Sequence, residues 1–108
     1  MLGKDLRYYQ QTLERYDLPI RMAGGIYRYV EKKIPPGSFL YALFANDLMQ
    51  TFAKADDTNR QKILDYVKFL YDQVPYCCYG SYEAVQKWCA SAKAPDAEQV
   101  TWKRSDDS

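Results

Sequence analysis

Two glycine–serine pairs, Gly37-Ser38 and Gly80-Ser81, are the features of this sequence best suited to chemistry. Each opens a stretch of helical pattern. A helix start offers free backbone N–H groups and the positive end of the helix dipole, both of which suit a phosphate. Tyr41, Tyr79 and Tyr82 stand close by in sequence, with ring faces on which a base could stack. Helix capping accounts for either serine without a ligand. Arg28, Ser38, Asn46, Asp47, Asn59, Arg60 and Ser81 together make a polar set larger than helix packing requires, which points towards a defined polar pocket.

Other chemistries find less support. The chain has no histidine, which removes the commonest general base and every Ser-His or Cys-His nucleophile pair. Three cysteines, Cys77, Cys78 and Cys89, are an odd number for a disulfide framework and fit reduced thiols. The vicinal Cys77-Cys78 has the wrong spacing for a zinc knuckle, and soft ligands are too few for a zinc site. Asp47, Asp56 and Asp57 could be drawn as a magnesium site, but nothing in the sequence brings them together, and helix capping explains Asp56 and Asp57. No Walker-type or dinucleotide-binding glycine loop is present. No catalytic residue, metal or cofactor is therefore assigned. A net charge of +1 gives no global field towards nucleic acid or an anionic membrane, so sequence-specific DNA binding is not expected. No apolar run approaches the roughly 20 residues of a membrane span, and residues 1–5 lack the apolar core of a signal peptide. A soluble, cytoplasmic protein is expected. Eleven tyrosines, far more than the four phenylalanines or two tryptophans, suit core margins, interfaces and stacking sites.

The elements that must position these residues are helices. At 108 residues the chain is expected to form one domain over 1–92, followed by a flexible tail over 93–108 in which Trp102 could dock. Apolar periodicity predicts an all-α fold, a small bundle of about five helices over 5–16, 22–34, 39–54, 58–73 and 82–91. The expected inward residues are Leu6, Tyr9, Leu13 and Tyr16; Met22, Ile26, Tyr29 or Val30, and Lys33-Ile34; Leu40, Leu43, Phe44, Leu48 and Phe52; Ile63, Leu64, Val67, Leu70 and Tyr71; and Val85, Trp88 and Cys89. Pro35-Pro36-Gly37-Ser38 ends the second helix and starts the third, with Ser38 as its cap. Gly24-Gly25 weakens the start of the second helix or permits a close backbone approach. Asn46 and Asp47 fall in the middle of the third helix. There Asp47, at the edge of the buried face, calls for a partner such as Arg28 or Arg60.

The blocks Gly25-Ile26-Tyr27-Arg28-Tyr29, Pro36-Gly37-Ser38-Phe39-Leu40, Ala45-Asn46-Asp47-Leu48, Ala55-Asp56-Asp57-Thr58-Asn59-Arg60 and Gly80-Ser81 through Trp88 carry a resemblance. Together they resemble short, mostly uncharacterised proteins of bacteriophages and prophages, over about residues 22–90, with 1–21 as a helical extension. The resemblance implies a non-enzymatic accessory protein, acting stoichiometrically in the host cytoplasm and assembling as a homo-oligomer. Its expected role is to counter host defence by sequestering a nucleotide immune signal, with phosphates on helix starts, Arg28 and Arg60, and bases on tyrosines. The alternative is an inhibitor of a host defence protein, anti-CRISPR-like, acting through an aromatic surface. Both are analogies. The ligand set expected for the first is Arg28, Gly37, Ser38, Tyr41, Asn46, Asp47, Asn59, Arg60, Gly80, Ser81 and Tyr82.

Overall fold

A computed structural model describes residues 3–91, and the tail over 93–108, with Trp102, lies outside them. Among the described residues the chain is all-α, as expected, but with seven α-helices rather than about five: α1 (Leu6–Arg15), α2 (Ala23–Lys32), α3 (Ser38–Phe44), α4 (Leu48–Lys54), α5 (Asp57–Gln61), α6 (Ile63–Gln73) and α7 (Tyr82–Ala90). Short 3-10 turns at Ile20–Met22 and Tyr76–Cys78 lead into α2 and towards α7.

Local chemistry sets the ends. Asp5 caps α1 by accepting from the Tyr8 N–H at 2.9 Å. The helix closes with Asp17 at φ 60°, where the Asp17 N–H reaches the Glu14 carbonyl and the Leu18 N–H reaches that of Leu13. This paired closure satisfies two carbonyls that a helix end leaves free, and it brings Leu18 onto Leu13, both buried. Lys62, at the junction of α5 and α6, then holds the turn, its Nζ 2.6 Å from Asp17 Oδ2.

Two of the expected helices are each divided. The span 39–54 breaks at Asn46, which sits at φ 62°, a conformation that asparagine tolerates better than most residues. Asn46 N–H bonds to the Leu43 carbonyl and Asp47 N–H to that of Ala42, closing α3. Asp47 at once caps α4, its Oδ1 accepting from the Gln50 N–H at 3.0 Å. The pair is thus a stop and a start, not an awkward polar insertion in one helix. The span 58–73 divides at Lys62, with Asp56 capping α5 through the Asn59 N–H at 2.8 Å.

The core joins Leu13, Ile26, Tyr29, Phe44, Tyr66, Phe69 and Val85 from five helices, all essentially inaccessible to solvent. Tyr29 packs on Phe44 with ring centroids 4.4 Å apart, and Phe39 meets Tyr66 edge-on at 5.3 Å. Three buried tyrosine hydroxyls find acceptors: Tyr29 donates to the Cys78 carbonyl, Tyr9 to Glu31, and Tyr66 to Asn59 Oδ1 at 2.7 Å. Burial pushes all three phenols above their ordinary range, so they stay protonated and able to donate. Trp88 fastens α7 by donating from Nε1 to the Tyr29 carbonyl at 2.8 Å. Gly24 and Gly25 lie inside α2. A Cβ on Gly25 would come within 3.0 Å of Leu40 Cδ1, so the close approach these glycines permit is to a side chain of α3.

Candidate functional site

The expected ligand set divides between one small groove and several structural posts. α3 and the start of α7 place Ser38, Tyr41 and Tyr82 on a groove of about 250 Å³, completed by Pro36, Gln50 and Lys54. The Tyr41 and Tyr82 rings lie 6.1 Å apart at 29°. Tyr82 donates to Asp47 Oδ2 at 2.6 Å, tying α7 to the cap of α4. That bond, helped by the Gln50 N–H, holds the Asp47 carboxyl below the usual carboxylate range, and the same bond pushes the Tyr82 phenol up. Neither Arg28 nor Arg60 pairs with Asp47, which corrects the ion pair expected from the sequence. Gln50 and Lys54, which the sequence reading did not select, supply the amide and the cation of this groove. An Asp-x-x-Gln capping pattern at 47–50 was the signal that could have found the first of them.

The remaining members of the set stand elsewhere. Gly37, not Ser38, occupies the cap position of α3, and Ser38 is the first helical residue. Ser81 caps α7 as expected, accepting from the Ala84 N–H at 3.0 Å. Gly80, at φ 125°, gives its N–H to the Phe44 carbonyl at 2.8 Å, so it joins α7 to the end of α3. Asn59 is buried and serves Tyr66. Arg60 lies over the Phe52 ring at 4.6 Å and donates from Nε to the Phe52 carbonyl at 3.0 Å, closing the end of α4. Arg28 is exposed on α2, its guanidinium folded back over Gly24. Asp56 pairs with Arg21 at 2.8 Å, and no group of three or more metal-ligating side chains occurs among the described residues. Cys77 is exposed and Cys78 buried, where burial pushes its thiol up to about 12.

A second surface departs further from expectation. Of the residues expected to turn inward from α4 and α6, Leu48, Phe52, Leu64, Val67 and Tyr71 are exposed, and Met49 joins them, at fractions from 48% for Val67 to 82% for Tyr71. On α6 Leu70 is buried as expected, joined by Tyr66 and Phe69, which the sequence reading did not select. Of the exposed residues, Leu48, Val67 and Tyr71 line a groove of about 210 Å³ between the two helices, together with Leu43, Thr51 and Ile63, whereas Met49, Phe52 and Leu64 are exposed outside its lining. Asn46 and Gly80, two of the expected ligand residues, lie at its margin. The groove is predominantly apolar and offers no cluster of acids or cations in its lining. Its lining can exclude water from an apolar group laid in it.

The chain matches no family model, no curated protein and no solved structure. No helix among the described residues is long and apolar enough to cross a membrane.

Proposed function

We propose that this is a non-enzymatic binding protein that acts by stoichiometric association with a protein partner through the α4–α6 face. The observation that carries this reading is the set of large apolar side chains left exposed on α4 and α6, three of which, Leu48, Val67 and Tyr71, line one apolar groove. Scattered exposed leucines need no explanation, but a contiguous apolar patch is a usual mark of an interaction surface. The sequence blocks that resemble phage proteins support placing this association in an infected cell, with a host defence protein as the partner and the host cytoplasm as the location. The test is retention of a host protein from infected-cell lysate by the full chain, compared with a Leu64→Glu, Val67→Glu variant. Both positions are exposed, so the variant is expected to melt like the parent and to lose the retained protein. Equal retention by both chains would overturn the reading.

A second reading, capture of a nucleotide signal, is favoured by one arrangement: Tyr41, Tyr82, Ser38 and Lys54 on a single groove. Rings with a lysine and a hydroxyl beside them suit a base and its phosphate. A panel of cyclic and linear nucleotides, each at about a hundredfold excess over its Kd, would stabilise the chain by about 2.7 kcal/mol if bound, and Tyr41→Ala would abolish the shift. No rise in Tm with any member would remove this reading.

A further inference from the structure

A second concave surface lies where the start of α1, the end of α2 and α7 meet. Lys32 and Lys33 line a predominantly polar groove of about 490 Å³ there, together with Lys4, Asp5, Glu31 and Trp88. Each ammonium rests against a ring: Lys33 Nζ lies 4.4 Å from the Trp88 centroid, Lys4 Nζ 5.0 Å from that of Tyr8 and Lys32 Nζ 6.0 Å from that of Tyr27. A ring holds an ammonium in place without cancelling its charge. Among the described residues none of the three lysines has a carboxylate partner. The two acids of the lining are each half engaged. Asp5 Oδ1 accepts from the Tyr8 N–H and Glu31 Oε2 from the Tyr9 hydroxyl, while the second oxygen of each has no hydrogen-bond partner among the described residues.

Lys33 is the unusual member of this set. It closes α2 at φ 61° and ψ 32°, its N–H on the Tyr29 carbonyl and the Ile34 N–H on that of Arg28. At such a closure glycine is at ease and a long side chain is strained. The helix dipole favours a cation here, but Lys32 already supplies one. What Lys33 adds is an ammonium seated on Trp88, whose Nε1 is fixed to the Tyr29 carbonyl at 2.8 Å. A strained residue held in place by its surroundings points towards function.

Independently of the α4–α6 reading, we propose that this groove binds a phosphorylated sugar, with the phosphate on Lys4, Lys32 and Lys33 and sugar hydroxyls donating to Asp5 and Glu31. Ammonium groups suit phosphate oxygens as point charges, and ionised carboxylates only accept hydrogen bonds, so they call for hydroxyl donors. A bare phosphate meets the repulsion of the two acids, and an uncharged sugar leaves the three ammoniums unused. A ligand with both groups satisfies the whole lining, and the groove falls within the size range of small-molecule sites.

The test is calorimetric titration of the full chain with glucose 6-phosphate and ribose 5-phosphate, and with glucose, ribose and inorganic phosphate alongside. At least one sugar phosphate should saturate a single site and bind at least about tenfold more tightly than its parent sugar or inorganic phosphate. Lys33→Gly should lose that binding while keeping the parent's Tm, because glycine relieves the strain at φ 61°. Lys33→Met, which keeps the stem and loses only the charge, should lose it as well. Glu31→Gln should weaken the sugar phosphate yet tighten inorganic phosphate, since it removes a hydroxyl acceptor of full charge and a source of repulsion together. Lys68→Ala, on the exposed side of α6, should change nothing. Inorganic phosphate bound as tightly as the sugar phosphates would overturn the sugar. Binding that survives both Lys33 variants would overturn the site, and no binding of either sugar phosphate would overturn the proposal whole.

Discussion

The two sides of α6 make an instructive pair. The inner side carries Tyr66, Phe69 and Leu70, and the outer side carries Leu64, Val67 and Tyr71. By hydrophobicity alone the outer set is as fit for burial as the inner one. What separates them is the surroundings. Tyr66 reaches a buried acceptor in Asn59 and an edge-on ring in Phe39, whereas the outer set has only the shallow groove beside α4. A tyrosine with a partner for its hydroxyl is a good core residue, and a leucine with nothing to pack on is a surface residue. The outer side is apolar yet exposed, which is the observation behind the interaction surface proposed above.

The largest test of this contrast is truncation on each side. Phe69→Ala should cost about 3–5 kcal/mol in chemical denaturation, because it empties a fully enclosed site, while Leu64→Ala should stay within about 0.5 kcal/mol. Equal costs would mean that both sides support the monomer, and the contrast would fail. A smaller change sharpens the polar half of the argument. Tyr66→Phe keeps the ring but strands the buried Asn59 Oδ1, for an expected loss of about 1–3 kcal/mol, whereas Tyr71→Phe on the outer side should be silent.

The smallest effect concerns the junction between the face and the tyrosine groove. Because the folded state lowers the Asp47 pKa, the contribution of this carboxylate is present above its unfolded pKa of about 3.9 and fades as pH falls through the lower folded value. Tyr82→Phe should move the Asp47 titration upward in a carboxyl NMR experiment, though not fully to the ordinary value, since the Gln50 N–H remains. An unmoved titration would show that Tyr82 is not the group holding α7 to the cap of α4.

Much of the scaffold was legible in residue types. Ser81 announces the start of α7, Pro35-Pro36 stand just beyond α2, which closes earlier, at Lys32, with Lys33 at φ 61°, and Leu13, Ile26, Phe44 and Val85 fall on the inward stripe that their spacing predicts. The division at Asn46-Asp47 was also written locally, as a residue tolerant of the left-handed conformation followed by a capping aspartate, but a long apolar period across 39–54 outweighs it when the chain is read alone. The small groove was partly legible: Ser38, Tyr41 and Tyr82 converge, yet Lys54 and Gln50 come from α4, whose direction depends on that division. Asn59 and Arg60 look like free polar groups in sequence and are in fact committed to Tyr66 and Phe52, contacts set by packing.

The sequence by itself determined an all-α chain and some of its helix starts, such as those capped by Asp56 and Ser81, because capping residues act within a few residues of themselves. Only the tertiary structure decided which side of α4 and α6 faces water. Ile63, Leu64, Val67, Leu70 and Tyr71 fit a helical stripe, and so do Tyr66, Phe69 and Leu70. Periodicity cannot choose between overlapping apolar stripes on one helix; the choice falls to the neighbours that offer depth and hydrogen-bond partners.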